Sequence, residues 1–347
     1  MTAVVQTPVA STPPAKVRRG EVLLRARDLG IVLAIVVVFT LTTINNHAFA
    51  HPSSLQQLLT GASLIALLGV GETIVIITRN VDLSVGSVLG ISAYLVGDVF
   101  AHHPHFPIVL AFALGAVIGA VFGAINGIIT TVTRVPSLVV TLAALYIIRG
   151  LDAVIVNGKQ IQPTAIPQSF TTIGYKTLFG VPWLAIIVIV IITIVGYTLR
   201  TFRSSRELYA IGSNPEAAAL AGIPVGRRVF TAFLISGALA GFGGALFLSE
   251  FATVDASGGT GYELLVISAV VVGGVAIFGG SGTVLGASLG ALLLNTINQA
   301  LVASKISSFW NQAIAGALLL IAIAFDRWLG LRIAKRSQSA QGAHRDI

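Results

Sequence analysis

Two acidic residues, Glu72 and Asp82, lie within or beside long apolar runs of the sequence. An ionisable side chain at that depth is costly unless it faces protein or water, and such carboxylates can couple transport to protons or sodium ions. Asp82 or Ser84 could also have a structural role and cap the following helix by accepting free backbone N–H groups. For the segment around them, a helix cap and a half-helix tip close to a transport pathway are equally open, and ion coupling through Glu72 and Asp82 is a separate hypothesis.

Neutral amides form a second group of polar residues in the apolar runs, and Asn126, Asn295, Asn298 and Gln299 belong to it. Their default role is to form hydrogen bonds between helices. A path for a polyhydroxylated solute would use amides and hydroxyls of the same kind and would not need a ring of charge. The candidate residues of a translocation path or gate are Glu72, Asn80, Asp82, Ser84, Asn126, Asn295 and Asn298.

A polar segment with strong helix formers, residues 207–222, interrupts the apolar runs. Asn214 is a favourable N-cap, Pro215 suits the first helical position, and Glu216 favours the positive end of a helix. The alanines that follow promote a helix, and Gly222 can end it. Because a helix of about two turns is marginal alone, the segment needs a surface to dock on, in this chain or in another protein.

Enzymatic chemistry has no support in the sequence, which lacks cysteine and any G-x-x-x-x-G-K-[ST] phosphate loop. It also has no metal-ligand cluster and no Ser-His-Asp arrangement of credible spacing. We interpret His102, His103 and His105 as exposed residues of an outer turn. We therefore predict no catalytic residue, no metal site and no cofactor bound by this chain. If ATP drives its function, another chain must hydrolyse the nucleotide.

The composition indicates which elements must position these residues. The 347 residues are 55% hydrophobic and 10% charged, whereas a soluble domain carries about 25% charged residues. Since a membrane span needs about 20 mostly apolar residues, we predict an all-α polytopic membrane protein with about ten transmembrane helices. The candidate spans are residues 30–45, 58–78, 83–101, 107–133, 138–157, 181–200, 229–251, 262–279, 283–303 and 308–329.

The positions of the basic residues orient these spans, because Lys and Arg favour cytoplasmic loops. With the N-terminus inside, all of the 21 basic residues fall on the cytoplasmic side except Arg149, Lys159, Lys176 and Lys305. Both termini are therefore predicted to be cytoplasmic, and the net charge of +8 reflects topology rather than nucleic-acid binding. The predicted divisions are a flexible tail at 1–29, a transmembrane domain at 30–331 with a cytoplasmic loop at 201–228, and a second tail at 332–347.

An internal repeat is suggested by two short segments that each open a span after a polar inner turn. Residues 85–92 read VGSVLGIS and residues 281–288 read SGTVLGAS, with five of eight positions identical. Repeated halves are common in transporter folds. A chance match in sequence rich in glycine, valine and leucine remains the alternative.

Four segments together resemble the ribose-type permeases of bacterial ABC importers, which take up ribose, rhamnose, other sugars and autoinducer-2. They are ITRNVDLSVGS (77–87), RVPSLVVTLAALYIIRG (134–150), ELYAIGSNPEAAALAGI (207–223) and GGVAIFGGSGTVLGA (273–287). The resemblance covers roughly residues 30–330. Within that family, the TRN-V-D form and the stretch SSFWNQAIAG (307–316) look closest to rhamnose and autoinducer-2 permeases.

The resemblance implies a multi-pass subunit of the bacterial cytoplasmic (inner) membrane, surrounded by lipid and paired with a second permease, identical or related. A tandem-domain ABC ATPase would use ATP and magnesium on the cytoplasmic face, and an extracytoplasmic sugar-binding protein would deliver the solute. By their position in the family motif, the residues that couple the permease to the ATPase would be Gly212, Asn214, Pro215, Glu216, Ala217, Ala218 and Gly222.

The expected function is that of the permease subunit of an ATP-driven importer for a monosaccharide or related polyol-like solute, working by alternating access. A rhamnose-type or autoinducer-2-type solute is favoured. The alternative is a secondary transporter driven by an ion gradient, with Glu72 and Asp82 as the coupling carboxylates. A passive channel or scaffold has less support, because the sequence shows neither a filter-like carbonyl motif nor a ring of charge.

Overall fold

The computed structural model describes the backbone of residues 15–307, 309–310 and 312–324, with side chains described from residue 28 onward. The predicted C-terminal tail, 332–347, lies outside the described residues, and so do the first 14 residues of the predicted N-terminal tail. Helix α1 begins at Ala15, inside the segment predicted to be that tail.

Within the described residues the chain is almost entirely helical, with one short antiparallel hairpin pairing Thr177–Leu178 with Val181–Pro182. The helices are α1 (Ala15–Asn45), α2 (Pro52–Ile77), α3 (Val85–His102), α4 (Ile108–Thr133), α5 (Ser137–Val156), α6 (Gln168–Tyr175), α7 (Trp183–Thr201), α8 (Arg203–Ser213), α9 (Pro215–Leu220), α10 (Val225–Phe251), α11 (Tyr262–Val272), α12 (Val284–Ala303) and α13 (Gln312–Ala324).

Eight described helices are long and apolar enough to cross a membrane, and they coincide with eight of the ten predicted spans. The span predicted at 262–279 is helical only in part, because α11 ends at Val272. Its 11 residues rise only about 16 Å, roughly half of the hydrocarbon core of a bilayer. The span predicted at 308–329 contains α13, and its last residues lie outside the described part of the chain.

Glycines explain why the helix stops at Val272. Gly274, Gly279 and Gly280 all have positive φ, between 77° and 87°, a conformation that a side chain makes costly and that breaks a right-handed helix. The chain therefore continues as an irregular loop, residues 273–283. Its first glycine, Gly273, packs against Gly286 in the first turn of α12.

Loops that the charge pattern places on the cytoplasmic side meet at one end of the helix bundle. Arg79, just after α2, donates from Nε to the carbonyl oxygen of Phe278 over 2.8 Å. The amide of Gly280 donates to the carbonyl oxygen of Ile77 over 3.0 Å. The α2–α3 and α11–α12 loops therefore lie on the same side of the bundle, as predicted.

Loops predicted to be extracytoplasmic meet at the opposite end. The amide of Ile161 donates to the carbonyl oxygen of Val254 over 2.9 Å, and Asn46 donates from Nδ2 to the carbonyl oxygen of Ala303 over 3.0 Å. The contacts at the two ends agree with the alternation of sides deduced from Lys and Arg.

Helix α2 forms the centre of the bundle, since 94% of its most apolar window is buried, against 22% for α4 and for α7. The exposed faces of α4, α5 and α7 are apolar, as lipid contact requires. Helices α4 and α10 approach most closely through glycines. Gly115, Gly119 and Gly123 of α4 lie against the backbone of α10 at Gly237 and Gly241, the small-residue packing typical of membrane helices.

The segment between α10 and α11, residues 252–261, enters the bundle from the outer side. Its Val254 pairs with Ile161, which packs against Gly97 of α3. Its Gly258 instead packs against Gly90, seven residues earlier on the same helix. Seven helical residues span about 10 Å, and Gly259 packs against Gly86, four residues nearer the start of α3. This re-entrant loop therefore descends by more than that depth.

The two segments of the suggested repeat both open helices, α3 and α12, and the loops before them contact each other. Their helix starts differ in register. Val85 is the first repeat position and begins α3, whereas Val284 is the fourth position and begins α12. The duplication remains a prediction from the sequence.

Candidate functional site

Four of the candidate path residues form one buried chain of hydrogen bonds. Glu72 accepts through Oε1 from the amide of Asp82 over 3.0 Å. Asp82 accepts through Oδ1 from the amide and the hydroxyl of Ser84, over 3.0 and 2.6 Å. The Ser84 hydroxyl accepts from Nδ2 of Asn126 over 2.8 Å. All four residues are buried, so this network ties α2, α4 and the start of α3 together and does not line an open cavity.

The network corrects the expectation that Ser84 caps α3 with its side chain. Ser84 is the N-cap residue, but its hydroxyl makes no cap hydrogen bond because it is engaged by Asp82 and Asn126. Asp82 accepts the amide of Ser84 itself, just before the helix. Asn80 lies in the same loop and donates to both oxygens of Thr78 over 3.0 Å, which stabilises the turn after α2.

A buried arginine holds the re-entrant loop in place. Arg149, which we predicted to lie at the outer end of the span 138–157, is inside α5 and donates to the carbonyl oxygen of Gly258. Its guanidinium also lies 4.0 Å from the carboxylate of Glu263, at the start of α11, and both side chains are largely buried. The re-entrant loop and the start of α11 bring a carbonyl and a carboxylate to the depth of the arginine, and these groups offset its desolvation.

We expect the Arg149–Glu263 pair to show a coupling free energy of about 1 to 3 kcal/mol in a double-mutant cycle with Arg149→Met and Glu263→Gln, because each substitution alone leaves a buried partner uncompensated. Thermal unfolding in detergent measures it. Arg203→Met is the matched control, since Arg203 is an exposed arginine also paired with a glutamate, and it should change stability by less than about 1 kcal/mol. Strictly additive effects of the two substitutions would contradict this role.

A cavity of about 570 Å³, lined by both polar and apolar side chains, opens in the outer half of the bundle, between α2, α10, α11, α12 and the hairpin. Two candidate path residues, Asn295 and Asn298, line it. Asn295 donates to the carbonyl oxygen of Leu58 over 2.8 Å, so it also makes the interhelical bond that is the default role of a membrane amide. The structure thus separates the seven candidates into this cavity, the buried network and the turn at Asn80.

Sequence reasoning missed two further residues of this cavity. Glu250, at the outer end of α10, lines it and has a buried carboxylate oxygen without a hydrogen-bond partner in the described structure. Tyr262, the first residue of α11, forms part of the wall. A usable signal for Glu250 was present, since it is an acidic residue within the predicted span 229–251. The sequence gives no signal that Tyr262 lies next to Glu250, because the path of the re-entrant loop between them places it there.

On the cytoplasmic side, the predicted capped helix is confirmed. Asn214 accepts through Oδ1 from the amides of Glu216 and Ala217, over 3.1 and 3.0 Å. The helix α9 begins at Pro215, and Gly222 ends the motif with a φ of +78°. Ala218 is buried against the bundle, whereas Leu220 is 90% exposed. One face of α9 is thus anchored, and the other presents an apolar side chain outside the predicted spans.

Gly212, the last residue but one of α8, lies in direct contact with both cytoplasmic loops. A Cβ at this position would collide with the carbonyl oxygen of Ile77 and the amide nitrogen of Gly280. Nearby, the hydroxyl of Tyr209 donates to the carbonyl oxygen of Gly282 over 3.0 Å. The segment before α9 is therefore fastened to the loops that precede α3 and α12.

An ion pair fastens α8 to α10. Arg228 donates from Nε to Oε2 of Glu207 over 2.7 Å, and Arg203 lies 3.3 Å from Oε1 of the same carboxylate. The hydrogen bond from Arg228, followed by the charge of both arginines, lowers the pKa of Glu207 below its ordinary value. Glu207 therefore stays ionised at neutral pH and bridges the two helices.

Comparison with known proteins decides the family. Residues 54–323 match the family described as branched-chain amino acid transport system / permease component. The chain belongs to this permease family. It is 35% identical to the autoinducer 2 import system permease protein LsrC of Enterobacter sp. (strain 638) over 308 residues, 88% of each chain. It is 34% identical to the protein of that name from Klebsiella pneumoniae, over 92% of each chain. No solved structure matches.

Membership places this permease among the multi-pass subunits of the inner membrane, in agreement with its eight long apolar helices. The match spans all the elements of the candidate site, from the start of α2 to α13.

Proposed function

We propose that this permease is the membrane subunit of an ABC importer driven by a separate tandem-domain ATPase, which uses ATP and magnesium. An extracytoplasmic binding protein delivers the solute, and a second permease subunit, identical or related, completes the pore. The names of the relatives, which are import system permeases, support the proposal. So does α9, whose exposed Leu220 is suited to burial against a cytoplasmic partner.

The contact of Gly212 with Ile77 and Gly280 is the observation that carries the proposed mechanism. When the ATPase moves α9, the movement passes through α8 to the α2–α3 and α11–α12 loops. It does so because the backbone of Gly212 contacts the backbone of both loops directly, with no side chain between them. One loop leads into α3 and the other into α12, which lines the outer cavity. Displacing both helices together would change the side on which the pathway opens, as alternating access requires.

The proposed solute is a neutral, polyhydroxylated molecule of the rhamnose or autoinducer-2 type. The relatives are named for autoinducer 2, and the described lining of the cavity offers amides and hydroxyls but neither lysine nor arginine. A branched-chain amino acid, which the broad family description names, carries a carboxylate, and the described lining offers no cationic side chain to pair with it.

An ion-driven mechanism through Glu72 and Asp82 is less consistent with the structure. Both carboxylates are buried, and each accepts a hydrogen bond from the backbone of the α2–α3 loop. An ion-coupling carboxylate needs access to water from one side or the other. The local bonds instead account for these residues as supports for the start of α3.

The substitution Leu220→Asn tests the proposed coupling. We expect magnesium-dependent ATP hydrolysis that co-purifies with the tagged chain from its native membranes to fall roughly tenfold, since burying a leucine stabilises an interface by about 1.5–3 kcal/mol. Uptake of labelled ribose, rhamnose or autoinducer-2, whichever the unmodified transporter imports, should fall with it.

Phe179→Asn is the matched control for Leu220→Asn. Phe179 is 98% exposed and lies in the hairpin on the opposite side of the bundle, so its substitution also removes an exposed apolar side chain. It should leave the co-purified ATPase unchanged. If Leu220→Asn retains full ATPase association and uptake, α9 is not the docking site and the proposed mechanism fails.

A further inference from the structure

We propose that the outer cavity is a solute-binding subsite of the permease itself, selective for neutral polyhydroxylated molecules, with Glu250 as its anchoring acceptor. This rests on the proposed function and goes beyond it. The binding protein would then not be the sole element of the importer that recognises the solute.

The unpartnered polar groups of the cavity point to a ligand with many hydroxyls. One carboxylate oxygen of Glu250 is buried without a partner, and a buried acceptor in that state is costly until a donor reaches it. The side-chain amides of Asn298 and Gln299 also line the cavity and make no hydrogen bond with the described residues. Together they offer donors and acceptors, which a polyol can satisfy and an apolar ligand cannot.

An aromatic wall beside these groups suits the apolar face of a sugar ring. Phe251 and Tyr262 line the cavity. Phe247 connects them, with ring centroids 4.5 Å from Phe251 and 6.1 Å from Tyr262. A carboxylate next to flat apolar surface can bind both the hydroxyls and the C–H face of one molecule. The cavity volume, about 570 Å³, lies within the range of about 300–1,000 Å³ typical of small-molecule sites.

The charge of the cavity disfavours other occupants. The described lining contains no lysine or arginine, so a lipid phosphate or a sugar phosphate would meet Glu250 without a counter-charge. Lipid tails fit poorly among glutamine and asparagine side chains. The cavity is also connected to the cytoplasmic mechanism, because α12 carries Asn298 and Gln299 and begins next to the loop that Gly212 contacts.

The absence of cysteine from the sequence allows a direct test. Gln299→Cys places a single thiol in the cavity, and Lys159→Cys places one on an exposed outer loop as the matched control. The full chain is expressed without the binding protein, and right-side-out membrane vesicles are treated with a membrane-impermeant maleimide. Ribose, rhamnose and autoinducer-2 are each added as protecting probes.

We expect the maleimide to label both thiols and at least one of the three probes to slow labelling at Gln299→Cys alone. Adding Glu250→Gln, which keeps the shape of the side chain, should raise the half-protecting concentration roughly tenfold, the effect of losing one hydrogen bond. The labelling rate without probe should stay unchanged, which separates lost binding from a collapsed cavity.

Three results would overturn the subsite. They are no labelling at Gln299→Cys, labelling that no probe slows, and a half-protecting concentration that Glu250→Gln leaves unchanged. The outcome is independent of the proposed coupling, because Leu220→Asn should lower ATP-driven uptake while leaving protection against labelling intact. If the probes protect the thiol and Leu220→Asn leaves uptake unchanged, the subsite is supported and the proposed coupling through α9 is refuted.

Discussion

Replacing Gly212 by alanine is expected to reduce uptake at least about tenfold while the ATPase remains bound. The added methyl group would collide with the carbonyl oxygen of Ile77 and the amide of Gly280, which are backbone atoms. Overpacking of this kind costs about 1–3 kcal/mol, and it acts at the contact that joins α8 to both cytoplasmic loops. The exposed face of α9 is unaltered, so magnesium-dependent ATP hydrolysis should still co-purify with the chain.

Gly226→Ala is the matched control, because Gly226 lies in the same cytoplasmic region, 14 residues further on, at the start of α10. Its Cβ would meet only the Cβ of Thr131, at 3.8 Å, which is ordinary contact. Uptake by this variant should equal that of the unmodified transporter. Normal uptake by Gly212→Ala would show that the contact with Ile77 and Gly280 does not transmit movement.

Replacing Gly119 by leucine is expected to produce a large loss of stability. A Cβ at Gly119 would lie 2.6 Å from the nitrogen and 2.8 Å from the Cα of Gly241, and would also collide with the carbonyl oxygen of Gly237. The two helices must separate to admit a side chain. We expect a destabilisation above about 3 kcal/mol, the upper range for overpacked cores, seen as a lower Tm in detergent and as aggregation on size-exclusion chromatography.

Gly150→Leu provides the comparison for Gly119→Leu. It introduces the same side chain into another predicted membrane helix, α5, at an exposed position where a Cβ would meet nothing within 4 Å. Its Tm should match that of the unmodified chain. Equal Tm values for the two variants would mean that the α4–α10 contact is looser than the structure describes.

The cytoplasmic motif shows how much local sequence can predict. The N-cap role of Asn214, the start of α9 at Pro215 and its end before Gly222 followed from residue types within ten positions of one another. Capping and helix termination depend on backbone groups nearby in sequence, which explains this success. The exposure of Leu220 could not be predicted from the local sequence, because it depends on how α8 and α10 position the short helix α9.

The candidate path residues show where such reasoning ends. Glu72 and Asn126 were selected as polar groups within apolar runs, and both lie in one buried network. Glu250 was not selected, although it lines the cavity with Asn298. Residue type indicates that a buried polar group needs a partner, but not whether that partner is another helix or a solute.

By itself the sequence determined the class of protein, eight of the ten predicted spans, which loops meet at the same end of the bundle, and the local form of α9. These properties depend on composition, on segment length against the thickness of a bilayer, and on the distribution of Lys and Arg. Only the tertiary structure decided that α11 is short, that residues 252–261 descend into the bundle to meet Arg149, and that Gly212 touches two loops. Those features arise from close approach at glycines between segments far apart in the chain, and the pattern of apolar residues along one segment does not specify which other segment it will contact.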